Sequence, residues 1–361
     1  MMARFLLAFL VFLIMSCGDS TGPESQEYSV IPADDPQPAG DRIFGINPSE
    51  SDQGFIASFE KAQEAGIQVV EILLPWESIE ASQGVYQDPD GVLSAIAFYG
   101  AEDVKVLLTI AVINTVKSTV PDYLEGLEYD SPEVVNAFNS MADWVFQQVP
   151  ASVTVAGFAI GNEVDLVLEG DSAWNDYSSF YQQVSEHFRS GHTGIPVGVK
   201  CTVIEGLLGG EADELVSINQ YSDVIMLTCY PQTAGFQVLS PETVHDHFGQ
   251  IQSHFPGDSI WITEIGYQSG SEYCGSSQQK QAQFYHELFC AWDDHMDQFQ
   301  LVLVNWLHDA SSEMISEWED YYGSSDPGFL EFLSTLGLRN HDHTDKYAWL
   351  QVLEETSARG W

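Results

Sequence analysis

The amino-acid sequence predicts a single α/β domain folded as a (β/α)8 barrel. Three observations predict it. Eight short runs rich in β-branched residues and leucine recur along the chain, amphipathic stretches of helical length separate them, and nothing in the 361 residues marks an internal repeat or a second domain. Strands alternating with helices pair in parallel through right-handed crossovers, and eight is the number at which such a sheet closes.

The strand-like runs are residues 42–46, 68–74, 104–112, 153–160, 196–202, 224–229, 260–265 and 300–307. Most are nearly continuous in hydrophobicity, as expected of strands covered on both faces. The clearest helical patterns are 55–65, 132–148, 174–190, 241–254 and 278–294, and 329–336 and 347–354 supply the last helices. Asp130 or Ser131 before Pro132, and Ser240 before Pro241, read as helix starts with a cap residue and a first-turn proline. The barrel is therefore expected over residues 41–361. With 44% hydrophobic residues the chain can bury a core of that size.

The N-terminus differs in composition. Arg4 precedes an apolar run, Phe5 to Met15, that is too short to span a bilayer and leads into Ile14-Met15-Ser16-Cys17. An apolar residue three positions before a cysteine, with a small residue directly before it, resembles a bacterial lipoprotein cleavage box. The resemblance implies that residues 1–16 are a signal peptide and that Cys17 is lipidated. The protein would then be exported and held on a membrane of the bacterial envelope through that lipid. An ordinary signal peptide is the alternative. Residues 17–40, rich in Pro, Ser, Gly and acid, are expected to be a flexible tether. Four further cysteines remain. Export permits a Cys274–Cys290 disulfide, while Cys201 and Cys229 sit on neighbouring predicted strands as a pair or as buried thiols.

Charge narrows the partners. Lys and Arg number 11 against 54 Asp and Glu, a net charge of −43. Such a surface repels phosphate backbones, which excludes nucleic acid, and it disfavours polyanionic glycans. Most of the acid is expected to solvate the surface. His245, His247 and His254 share one predicted helix, and His341-Asp342-His343 sits in a polar turn. Both read as solvated faces, since no third metal ligand is placed. No phosphate loop, dinucleotide fingerprint or nucleophile elbow occurs.

In a (β/α)8 barrel, chemistry sits at the C-terminal ends of the strands. The fourth run ends in Gly161-Asn162-Glu163 and the seventh in Thr263-Glu264-Ile265-Gly266. The sixth ends in Cys229-Tyr230-Pro231, the eighth in Asn305-Trp306, and the second in Leu74-Pro75-Trp76, followed by Glu77-Ser78-Ile79-Glu80. Glu163 and Glu264 would then face each other across the barrel mouth. Cleaving a glycosidic bond takes two carboxyl groups flanking it, one to protonate the leaving oxygen and one to attack or to activate water.

This set resembles the clan of retaining (β/α)8 glycoside hydrolases that includes cellulases, mannanases, xylanases and galactanases. The resemblance extends from about Asp41 to the end, and includes a Trp-x-x-Ile-Glu segment after the second strand and a Gly337–Trp349 segment near the C-terminus. It implies Glu163 as acid/base and Glu264 as nucleophile, roughly 5–5.5 Å apart. Asn162 would bind the sugar 2-hydroxyl, Tyr230 would donate to the nucleophile, and Trp306 would floor the subsite at the cleavage point. No cofactor is implied, and a monomer acting on a neutral β-linked carbohydrate is expected. Trp76 and Trp174 are candidate sugar platforms or packing residues. Asn47, Asn114 and His308 could reach hydroxyls or cap loops. Two alternatives are a non-catalytic glycan-binding lipoprotein and a transglycosylase using the same residues. One position departs from the clan: five residues before Trp76, where an arginine usually supports the nucleophile, stands Glu71. A third carboxylate there would disfavour an ionised Glu264.

Overall fold

The computed structural model describes residues 28–361. The expected signal peptide, residues 1–16, and the lipidation candidate Cys17 lie outside the described residues. The domain is a (β/α)8 barrel. Its strands are β1 (Ile43–Ile46), β2 (Val69–Pro75), β3 (Lys105–Asn114), β4 (Val155–Asn162), β5 (Val197–Gly198 and Lys200–Thr202), β6 (Ile225–Cys229), β7 (Ile260–Ile265) and β8 (Phe299–Val304). Neighbours pair in parallel throughout, and β1 pairs with β8. Closure runs through β5, which is interrupted at Val199. Its first piece pairs with β4 and its second with β6.

The outer helices are α1 (Phe55–Gln63), α2 (Pro132–Gln148), α3 (Gly170–Gly191), α4 (Ala212–Asn219), α5 (Thr243–His254), α6 (Gln278–Asp294), α7 (Ser312–Tyr322), α8 (Pro327–Thr335) and α9 (Tyr347–Arg359). Ser131 caps α2 by accepting from the Val134 N–H, with Pro132 in the first turn, as expected. The Ser240-Pro241 pair does not open a helix. It forms the preceding turn, where Thr243 Oγ1 donates to the Ser240 carbonyl, and α5 begins at Thr243. Helices α4 and α7 are absent from the sequence-based expectation.

Two apolar layers hold the barrel. Most of the core lies between strands and helices. A smaller cluster of Val69, Leu107, Ala159, Met226, Trp261, Leu301 and Leu303 fills the barrel interior. Gly157 is required there, because a Cβ would come within 2.5 Å of the Trp261 ring. Buried ion pairs stitch the ends of the fold. Arg42 and Arg359 both bind Asp293 at 2.7 Å, Arg359 also binds Glu355 at 2.6 Å, and Lys346 binds Asp309 at 2.6 Å.

The expected tether differs in its described part. Tyr28 stacks on Tyr347 at 4.5 Å and its hydroxyl donates to Gln351. Gln351 also exchanges two hydrogen bonds with the Ile31 backbone. Residues 28–40 thus pack along α6 and α9, because one aromatic ring and a glutamine give this polar segment docking points that its average composition conceals. The described cysteines are all free thiols, so Cys274 and Cys290 do not pair, nor do Cys201 and Cys229.

Candidate active site

The strand alternation that fills the barrel floor builds a polar layer above it. Two residues beyond Val69, Leu107 and Met226 come Glu71, Thr109 and Thr228, and two beyond Gly198 and Leu303 come Lys200 and Asn305. Strand β7 breaks the count. Trp261 faces inward, so strict alternation would send residue 264 outward. The β6–β7 register instead pairs Leu227 with Ile262 and then Thr228 with Glu264. Thr263 is the extra residue of a β-bulge, its hydroxyl donating to the Leu227 carbonyl, and the bulge turns Glu264 into the barrel.

Glu264 is held by three donors. Lys200 Nζ lies 2.5 Å from Oε1, while Tyr230 Oη donates to Oε2 at 2.7 Å and Asn305 Nδ2 donates to Oε2 at 2.9 Å. Lys200 is fully buried and also binds Glu71 Oε1 at 2.7 Å, an oxygen that takes a further bond from Thr109. Burial lowers the Lys200 pKa, but the charges of Glu264 and Glu71 more than offset this, and the ammonium is held above its usual range. Burial pushes the Glu71 carboxyl upward against the opposing pull of Lys200. The Glu71 departure is thereby accounted for. Where the resemblance led to a cation on the second strand, the structure has one on β5, and Glu71 is its second partner. A lone lysine inside the apolar run 196–202 was the sequence signal for it.

Glu163 lies across the same pocket. Thr228 Oγ1 donates to its Oε1 at 2.8 Å and Thr115 Oγ1 to its Oε2 at 2.9 Å. Burial, and next the charge of Glu264, raise its pKa to about 8. Glu163 and Thr115 both hold left-handed backbone, at φ 52° and 54°, where a β-branched residue is rarely found. Such strain concentrates at functional sites.

One cavity of about 500 Å³ brings Glu163, Glu264, Asn162, Asn114, Tyr230 and Trp306 together. Asn162 Nδ2 donates to Asn114 Oδ1 at 3.1 Å. Two buried polar atoms of this lining, Asn162 Oδ1 and Trp306 Nε1, have no hydrogen-bond partner among the described residues. An acceptor and a donor left open beside two carboxyls suit a hydroxyl-rich ligand.

Four sequence-predicted residues lie elsewhere. Trp76 is fully buried, donating through Nε1 to Glu80 at 3.0 Å and packing edge-on against Phe138. It opens a short helix that turns its ring toward α2. Asn47 ties strands together, donating to Asn305 Oδ1 at 2.6 Å and accepting from the Glu71 N–H at 2.8 Å. His308 is fully buried between Ser49 and Arg339, with its pKa lowered to about 4 by burial and then by Arg339, so it stays neutral. Trp174 is buried on α3, outside the cavity. Conversely, sequence reasoning missed Lys200, Thr115, Thr228, Asn305, and the α7 residues Trp318 and Tyr322, which also line the cavity or hold its carboxyls.

No family model matches this chain, and no curated protein matches its sequence. Solved structures do match. A GH5_18 enzyme of Streptomyces cattleya, in complex with Manβ1-4GlcNAc, superposes with a TM-score of 0.67 at 13% identity, covering 88% of this chain and 80% of that one. An exo-β-1,4-mannosidase from Opitutaceae bacterium strain TAV5 gives 0.68 at 14% identity, over 88% of this chain and 59% of that one. A family 39 glycoside hydrolase from Bacteroides cellulosilyticus gives 0.61 at 15% identity, over 89% and 65%. At these identities the likeness is one of fold, and this chain is built on the barrel that these glycoside hydrolases share.

Proposed function

We propose that the protein is a retaining glycoside hydrolase that cleaves β-glycosidic bonds in a neutral oligo- or polysaccharide. The observation that carries this reading is the opposite treatment of two carboxyls in one cavity. Glu264 receives a buried ammonium and two further donors, whereas burial and the neighbouring charge raise the Glu163 pKa to about 8. Environments that push paired titratable groups apart mark an acid and a nucleophile.

In the first step a Glu264 oxygen bonds to the anomeric carbon as the bond to the leaving oxygen breaks, and Glu163 gives that oxygen its proton. Loss of the Glu264 charge lowers the Glu163 pKa and suits Glu163 to act as base. In the second step Glu163 takes a proton from water, the water oxygen bonds to the anomeric carbon, and Glu264 leaves as carboxylate. The open Asn162 Oδ1 would accept a sugar hydroxyl, and Trp306 would lie under the ring. Lys200 and Glu71 take the place of the usual arginine, and this removes the main reason to prefer a non-catalytic glycan binder. The N-terminal sequence supports the further proposal that a lipid on Cys17 holds the enzyme at the bacterial envelope.

The test is reducing-sugar release from a panel of β-glucans, mannans, xylans, galactans and their oligosaccharides, with wild type and Glu264→Ala. Mannosides belong in the panel because the structural neighbours include a mannosidase. Release that depends on Glu264 is expected from at least one member, and equal release from both proteins refutes the mechanism.

A further inference from the structure

We infer that the cavity is a blind pocket that admits only the non-reducing end of a glycan, and that α7 is the wall that makes it blind. The inference rests on the glycoside hydrolase reading above and adds to it the form of substrate.

Helix α7 follows β8 and is capped by Ser311, whose side chain accepts from the Met314 N–H. Its eleven residues span roughly 16 Å at the α-helical rise. Trp318 packs on Trp306, at the end of β8, with ring centroids 5.0 Å apart. One turn on, Tyr321 Oη donates to the Asn114 carbonyl, at the end of β3, at 3.2 Å. The Lys117 ammonium sits 5.2 Å above the Tyr321 ring and is itself paired with Glu77 at 3.0 Å. Helix α7 therefore links the β8 side of the mouth to the β3 side, past the rims of β1 and β2.

The lining agrees with a wall there. The cavity takes no residue from β1 and only Leu73 from β2. Asn47 and Trp76, which could have extended a sugar-binding groove over that rim, are turned to other partners. Trp318 and Tyr322 line the cavity instead. On the other side the lining comes from the β4 to β6 ends, through Leu166, Glu205 and Gln232, and Leu166 is 40% exposed.

Reaction chemistry gives these two sides their meaning. Attack by Glu264 on the anomeric carbon places the sugar being transferred over Trp306. Proton donation by Glu163 places the leaving group beyond Glu163, toward the open β4 to β6 rim. The closed side is then the non-reducing side. A further sugar attached there would meet Trp318 and Tyr322, so one terminal unit is released per event.

The test starts from whichever p-nitrophenyl β-pyranoside (gluco, manno, galacto or xylo) the enzyme hydrolyses best. The matching tetrasaccharide is then supplied free or with a 4-O-benzyl ether on its non-reducing terminal ring. The free form should yield monosaccharide as its only first product, and the blocked form should react about 100-fold more slowly, the scale of a misfit in a closed pocket. Trp318→Ala, which lowers the wall, should narrow that gap to about tenfold. Disaccharide as a first product, or a blocked substrate cut as fast as the free one, overturns the blind pocket while leaving glycoside hydrolysis intact. Absence of Glu264-dependent turnover on every probe removes both readings together.

Discussion

Replacing Lys200 with methionine removes one buried cation and leaves two carboxyls, Glu71 and Glu264, facing each other without it. The ammonium lies 2.5 Å from Glu264 and 2.7 Å from Glu71 and is fully buried, so solvent screens it little. Two unit charges about 4 Å apart interact by about 4 kcal/mol at an effective dielectric constant near 20. At 1.36 kcal/mol per tenfold, an interaction of that size corresponds to about 1000-fold in rate. Lys200→Met should therefore lower kcat/KM by about 100- to 1000-fold, while an alkaline limb set by Glu163 persists. Breaking a buried pair also costs about 3–5 kcal/mol of stability, so circular dichroism must first establish that the variant is folded at the assay temperature. Glu71→Arg combined with Lys200→Met moves the cation from β5 to β2 and should restore most of the lost activity. A folded Lys200→Met enzyme with wild-type kcat/KM would refute the electrostatic role and leave Lys200 as a packing residue.

Three other outcomes follow from the same geometry. The alkaline limb of wild-type kcat/KM should lie near pH 8, and it should vanish in Glu163→Gln assayed on a dinitrophenyl glycoside, whose leaving group needs no proton; a limb that persists there assigns it to another group. The folded pKa of Glu163 lies above its unfolded value of about 4.3, so its contribution to stability is present below that pH and is lost as pH rises through about 8. Thermal melts should accordingly show wild type losing stability relative to Glu163→Gln across that window, and parallel curves contradict the assigned burial. Asn47→Ala removes bonds to Asn305 and to the Glu71 N–H and should cost about 1–3 kcal/mol in denaturant unfolding, with KM nearly unchanged, because Asn47 lies outside the cavity.

Much of the barrel is legible in the sequence because its strands are covered on both faces and read as apolar runs. The bounds of α2 and α6 are also legible, since each combines helical spacing with a capping serine, Ser131 or Ser277. Helix α7 escaped because its apolar face serves the cavity and not the core, and none of its residues is buried. Its cap Ser311 and the spacing of Ile315, Trp318 and Tyr322 were nevertheless present. At the site, a position at a strand end does not reveal which way the side chain turns. Asn162, Tyr230 and Trp306 face the cavity, whereas Trp76, Asn47 and His308 satisfy their polar atoms within the fold. Glu264 is the clearest case. Alternation from Trp261 would have turned it away, and only the bulge at Thr263 brings it in, a backbone feature with no sequence pattern of its own.

The buried ion pairs give the −43 charge a second meaning. Arg42, Lys200, Arg339, Lys346 and Arg359 are all buried, five of the chain's 11 basic residues. The outer surface is left with little positive charge of its own, so dissolved cations must supply its neutralisation. The molecule thus has two electrostatic compartments with different sensitivity to salt. Outside, repulsion among carboxylates is felt over about 10 Å at 0.1 M ionic strength and about 3 Å at 1 M, so added salt should stabilise the fold. Inside, Lys200 is fully buried and its contact with Glu264 is screened little by mobile ions, so activity should change far less with salt than the melting temperature does. Ionic strength in a molecule organised this way acts mainly on its shell and only weakly on its site.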